Sequence, residues 1–104
     1  MITRIVRMDF NPDKVQAFLE VFNGTKHLIR NFPGVLHLEL HRDAGSPHVF
    51  YTYSIWENEE ALEVYRQSEL FQNVWSQTKV LFQGKPQAFS LDRLTVVENV
   101  LPKN

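Results

Sequence analysis

At 104 residues and 43% hydrophobic content the chain suits one compact domain with a real core, and its 11 Lys and Arg, interspersed with 12 Asp and Glu, set up no field that would gather nucleic acid or an anionic membrane. The lack of cysteine excludes disulfides, thiolate nucleophiles, iron–sulfur clusters and cysteine-ligated zinc. The opening residues alternate apolar and polar and carry two arginines and an aspartate, which suits a strand and not a signal peptide or membrane span, so cytoplasmic residence is expected.

In residues 2–10 the strand period places Arg4, Val6, Met8 and Phe10 on one face and Thr3, Ile5, Arg7 and Asp9 on the other. Asn11 then caps a helix with Pro12 at its first position, where the missing N–H costs nothing. Val15, Phe18, Leu19, Phe22, Ile29 and Phe32 form its apolar stripe. Gly24 interrupts that helix at a cost of about 1 kcal/mol relative to Ala and marks a bend or a close contact. The run Phe32-Pro33-Gly34 stops the helix, and residues 35–42 alternate Leu36, Leu38 and Leu40 against His37, Glu39 and His41, as a strand does. Residues 43–47 are turn-forming, so the next strand is expected to be its antiparallel hairpin partner.

That next strand, residues 49–56, carries Phe50, Thr52, Ser54 and Trp56 on one side and Val49, Tyr51, Tyr53 and Ile55 on the other. Asn58 with Glu59 and Glu60 supplies a cap and an acidic first turn, and Ala61, Leu62 and Tyr65 share a helical face. Ser68 is a second cap, opening a run of Phe71, Val74, Trp75, Thr78 and Phe82 at helical spacing. A strand over residues 88–94 closes the chain. The order β-α-β-β-α-α-β is that of a ferredoxin-like α+β fold, a four-stranded antiparallel sheet with its helices on one face. Since helices can cover only one side of the sheet, the bulky residues on the other side predict a two-fold homodimer.

The string Ser54 to Trp75, SIWENEEALEVYRQSELFQNVW, resembles the antibiotic biosynthesis monooxygenase family, in which a strand-ending Ser-x-Trp is followed by acidic residues, Ala-Leu, an aromatic or His, a Ser or Thr, and a helix opening near Phe. The resemblance runs over residues 2–95. It implies a dimeric α+β barrel in which two sheets face each other, built from a single domain over residues 1–104 whose C-terminal extension, 95–104, is available to reach the partner. Members include quinol monooxygenases, haem-degrading enzymes and an isomerase-like branch. In the haem-degrading branch a Trp in the first short helix is followed ten residues later by the iron-ligating His. Tyr65 and Trp75 hold those places here, which disfavours haem degradation by that route. In the quinol-oxidising branch a His often stands where this chain has Tyr65.

The histidines offer little metal chemistry. His37 and His41, four residues apart on a strand, have Cα atoms ~13 Å apart, too far to share one zinc. His37 with Glu39 is at most a two-ligand pair, His27 lies near a helix end, and His48 begins a strand with no evident partner. No metal site is expected, and the glycine patterns of hydrolases, nucleotide binders and flavin enzymes are missing. An oxygenase with no cofactor needs a substrate that is itself a reductant, such as a dihydroxyaromatic anion held in a dry pocket. Trp56 and Tyr65 are the candidate catalytic residues. Phe71 and Trp75 would add aromatic walls, Thr52 and Ser54 polar donors, and Phe22 the far side, although Phe22 and Phe71 read first as core. The expected function is a cofactor-independent monooxygenase acting on a small aromatic or quinol-like molecule. The alternatives are a non-catalytic dimeric module binding a small apolar or aromatic ligand, and an isomerase or stress-response enzyme on the same scaffold. A void of roughly a few hundred Å³ beside Trp56, Tyr65 and Trp75 separates a site from a filled core.

Overall fold

A computed structural model describes residues 1–101. Strand β1 (Ile2–Asp9) leads through a 3-10 turn (Pro12–Lys14) into α1 (Val15–Arg30); β2 (Val35–Arg42), β3 (Val49–Trp56), α2 (Glu59–Arg66), α3 (Glu69–Lys79) and β4 (Gln87–Asp92) follow. The four strands form one antiparallel sheet in the order β2-β3-β1-β4, the expected ferredoxin-like α+β arrangement.

Local chemistry sets the element starts. The Asn11 side chain accepts from the Asp13 N–H at 3.0 Å, but what it caps is the 3-10 turn, and α1 begins only at Val15. Asn58 accepts from the Ala61 N–H at 2.8 Å and starts α2. Ser68 does two jobs: its hydroxyl accepts from the Phe71 N–H at 3.1 Å and donates to the Tyr65 carbonyl at 2.6 Å, which fixes the angle between α2 and α3.

Several sequence expectations need correction. The β2 register slips between Val35 and His37, so Leu36 bulges into solvent and Val35 fills the core in its place. Helix α3 ends at Lys79, and Phe82 reaches the core from the following turn by a bridge to Phe10. Gly24 meets nothing within 4 Å, so no close contact explains it. His48 does have a partner: its Nδ1 lies 3.0 Å from Asp9 Oδ1, to which Gln83 Nε2 also donates at 2.9 Å. Those contacts, Gln83 foremost, hold the Asp9 carboxyl below its ordinary range.

The core on the helix-covered face is split in two. One cluster gathers Ile2, Ile29, Val35, Trp56, Leu62 and Tyr65, the other Met8, Phe10, Phe18 and Phe50. Between them, at mid-strand, this face carries Arg4 and Val6 of β1, Thr52 and Ser54 of β3 and Ala88 of β4. These are small or polar where a filled core would place Leu or Phe, and the helices span the gap without filling it.

No helix covers the opposite face of the sheet among the described residues, although Thr3 on it is buried beside Leu91 and Leu94. Ile5 is flanked in register by Tyr53 and Phe89, with Leu91 one pleat away, and Phe89 and Leu91 are 49% and 47% exposed. A shallow hollow of about 460 Å³ there is bordered by Thr3, Ile5, Tyr53, Leu91 and Leu94. Beyond β4, residues 93–101 have no regular structure and leave Leu94, Val97 and Leu101 almost fully exposed. The last three residues of the expected extension, 102–104, lie outside the described residues.

Candidate active site

The gap between the two core clusters is a cavity of about 340 Å³. All seven residues singled out from the sequence line it: Phe22 from α1, Thr52, Ser54 and Trp56 from β3, Tyr65 from α2, and Phe71 and Trp75 from α3. Strand alternation brings the three β3 residues to one face, and the two capped helices carry the aromatics over them.

The rings form a continuous wall. Trp56 meets Tyr65 at a centroid distance of 4.9 Å, Tyr65 meets Phe71 edge-on at 5.3 Å, and Phe71 stacks on Trp75 at 5.9 Å. Phe32 buttresses Tyr65 from behind at 5.3 Å. The Trp56 indole is only 2% exposed and its Nε1–H donates to Ser54 Oγ at 2.9 Å, while that hydroxyl leans toward the Arg4 carbonyl at 3.4 Å. Both polar groups are therefore engaged internally. Trp56 serves as wall, and Ser54 as the peg that fixes its plane.

Tyr65 is different. Its hydroxyl makes no hydrogen bond among the described residues, yet no buried side-chain polar atom there lacks a partner, so Oη is in reach of solvent-sized space. Burial pushes the phenol up to about 12, and it stays protonated through the physiological range. It can donate a hydrogen bond but cannot act as a base at neutral pH. Thr52 Oγ1 likewise has no hydrogen-bond partner among the described residues, and Thr78 donates to the Val74 carbonyl at 2.7 Å.

Among the lining residues that sequence reasoning passed over are two charged ones, Arg4 of β1 and Arg66 of α2. The signal for Arg4 was present: a charge at an inward position of a strand whose same-face neighbours are Val6 and Met8. Among the described residues no Asp, Glu or His lines the cavity. The His37, Glu39 and His41 side chains sit on the opposite face of the edge strand β2, where both rings turn onto the Glu39 carboxylate, His41 at 2.6 Å. Hydrogen bonds from His37 and then His41 hold the Glu39 carboxyl below its ordinary range. Among the described residues no group of three or more potential ligands is placed to hold a metal ion, and no helix is long and apolar enough to cross a membrane.

A family model described as antibiotic biosynthesis monooxygenase matches residues 1–75. No match was found among curated proteins. Solved structures share the fold. A crystal structure titled antibiotic biosynthesis monooxygenase is 18% identical, covers 91% of this chain and 100% of its own, and superposes with a TM-score of 0.86. A putative antibiotic biosynthesis monooxygenase from Nitrosomonas europaea is 16% identical over 91% of this chain and 100% of its own, with a TM-score of 0.84. A protein from Pseudomonas aeruginosa is 26% identical over 90% of this chain and 94% of its own, with a TM-score of 0.80.

Proposed function

Because the chain belongs to the antibiotic biosynthesis monooxygenase family, we propose that it oxidises a small aromatic, quinol-like substrate with O2 and without a cofactor, in the cavity walled by Trp56, Tyr65, Phe71 and Trp75. The observation that carries this reading is the void itself, about 340 Å³ at the centre of a 104-residue fold. An apolar hollow leaves the dispersion contacts of its lining unmade, which costs stability unless a ligand fills it. Its size falls at the small end of the roughly 300–1,000 Å³ typical of ligand pockets and suits a fused-ring aromatic.

In this reading the substrate binds as its anion, and the aromatic wall excludes water. The anion passes one electron to O2, and the arene radical and superoxide join through a new C–O bond. Cleavage of the O–O bond leaves one oxygen on the ring, and the other leaves as water formed with the two protons the quinol loses. The substrate gives up four electrons and O2 takes up four. Tyr65 donates a hydrogen bond to the developing oxyanion, Thr52 offers a second hydroxyl, and Trp56, held by Ser54, sets the plane of the ring. Oxygen uptake with a panel of reduced naphthoquinones, using metal-free protein and a boiled control, tests this. Tyr65→Phe preserves the packing and removes the donor, so the rate should fall roughly a hundred-fold, the scale of one lost oxyanion contact. A rate indifferent to Tyr65→Phe and Trp56→Ala removes the site.

A second reading, a dimeric module that binds an aromatic ligand without turnover, is favoured by a cavity wall that carries no carboxylate or imidazole among the described residues. Saturable binding with no oxygen uptake would select it.

The functional unit in either reading is a homodimer of single-domain chains, with the open sheet faces packed together and residues 95–101 crossing to the partner. The exposed Phe89, Leu91, Leu94 and Val97 support this, since large apolar side chains left open to water on and beside one sheet face invite a partner. Sedimentation equilibrium at micromolar concentration should give twice the 12.2 kDa chain mass. A single species at the chain mass would contradict it.

A further inference from the structure

The charge of the cavity lining is one-sided. Among the described residues its ionisable groups besides the Tyr65 phenol are two guanidiniums, Arg4 and Arg66, with no carboxylate on the lining, although the chain as a whole carries a net charge of −1. The two differ in how they are held. Arg66, on the last turn of α2, lies 3.4 Å from Glu63 one turn earlier, so its charge is partly matched within its own helix. Arg4 stands at mid-strand, paired in register with Ser54 and Ser90, and its Nη1 donates to Ser90 Oγ at 2.9 Å. Among the described residues it makes no salt bridge. A half-buried guanidinium with a hydroxyl for company and a second cation nearby is an unfavourable arrangement until an anion arrives. Burial first and Arg66 second push the Arg4 guanidinium below its ordinary value, and Glu63, the partner of Arg66, offsets this only in part.

The setting also gives the shape of the anion. Arg4 neighbours Ser90 on β4, and every residue of β4 is exposed, so no helix closes that side of the cavity. Trp56, Tyr65, Phe71 and Trp75 supply the apolar wall. We infer that the cavity selects an amphipathic organic anion, a flat aromatic body seated against those four rings with one acidic oxygen group, a carboxylate or an ionised phenol, paired to Arg4 beside the β4 edge and supported by Arg66. The planar fork of Arg4 still has donors free beside the one given to Ser90, enough for a two-point contact with a carboxylate. This rests on the cavity being the ligand site and not on oxidation taking place there. It also supplies what the cavity otherwise lacks. With no carboxylate or imidazole on the described wall to take a proton, a substrate that enters with its phenol already ionised needs no protein base, whereas a carboxylate serves as the anchor alone.

Isothermal titration with 2-naphthoate, 2-naphthamide and 2-naphthylmethylammonium tests it, since the three share a ring system and differ in charge. The naphthoate should bind roughly ten- to a hundred-fold more tightly than the amide, the scale of a charge-assisted contact, and the ammonium most weakly of all. Arg4→Gln, checked for native fold by circular dichroism, should bring the ratio of naphthoate to amide affinity close to one, and Arg66→Gln should lower it less. If Arg4→Gln does not fold, the wild-type ratio measured at low and high salt stands alone: it should shrink as salt rises. Equal affinity for naphthoate and amide, preference for the ammonium, a ratio unchanged in a folded Arg4→Gln, or binding of none of the three overturns the inference. Naphthoate preference without oxygen uptake on reduced naphthoquinones would leave this inference standing and remove the oxygenase reading. Oxidation of neutral quinols without naphthoate preference would do the reverse.

Discussion

Replacing Phe10 by Ala is expected to cost about 4 kcal/mol of folding stability, within the range for deleting a fully buried phenyl ring. Phe10 has 0% exposure and is the hub of the second core cluster, stacked on Phe18 at 4.1 Å and touching Phe82 at 5.2 Å and Phe50 at 5.9 Å. Its backbone N–H donates to the His48 carbonyl at 3.0 Å, so the residue ties the end of β1 to the start of β3 and, through Phe82, to the turn after α3. No other element can collapse into the space, because the ring is enclosed from three directions. Urea denaturation measures the effect. A loss below about 1 kcal/mol would mean that the cluster repacks and that this end of the core is softer than its geometry implies. Phe10 does not itself line the cavity, but it backs Phe18, which does, so the change reads stability and bears on binding only through that contact.

Gly34→Ala is expected to destabilise by about 3 kcal/mol, from two causes acting together. The residue has a φ of 91°, in the left-handed region that side chains avoid, and an added Cβ would sit 2.5 Å from the Ala61 Cβ. Nothing flexible is available to yield, since Ala61 has no further side chain and is fixed by the Asn58 cap. The site is coupled to this position: the Gly34 carbonyl accepts from the Glu57 N–H at 2.9 Å, next to Trp56, and Ala61 is one turn from Tyr65 on α2. Thermal unfolding should show the loss, and ligand affinity should fall with it as α2 is pushed off the sheet. An unchanged midpoint would mean that α2 can shift freely, and the account of how Tyr65 is positioned would fail.

Much of the fold was legible in the chain because the signals were local. Period-two alternation in residues 2–9 and 49–56, the Asn58 and Ser68 caps and the Phe32-Pro33-Gly34 stop each act through a few neighbouring residues, and each has its counterpart in an element boundary. What escaped depends on pairing across the chain. The bulge that turns Leu36 outward is a matter of β2–β3 register, the partnership of His48 with Asp9 joins residues 39 apart in sequence, and the place of Phe82 depends on a bridge to Phe10. The candidate site divides the same way. Its aromatic wall follows from helical and strand faces, and the sequence string from Ser54 to Trp75 carries it. Whether those rings enclose a void depends on how far the helices stand from the sheet, which no single segment encodes. Arg4 was visible as an inward-facing charge, but its meaning comes from Arg66, which α2 brings to the same lining.

The central claim is that the hollow beneath the four rings is where a ligand sits. The chain has two tryptophans, and both line that hollow, so their fluorescence reports on it directly. Thr52 lies at mid-strand on the cavity floor with its hydroxyl unengaged among the described residues, and Thr52→Phe should fill the space from below while leaving the Ser54 contact to Trp56 in place. Titration with 1,4-naphthoquinone should quench wild-type fluorescence saturably and leave Thr52→Phe with only the weak, linear quenching of collisions. Identical saturable curves for the two proteins would place the ligand elsewhere and contradict the account.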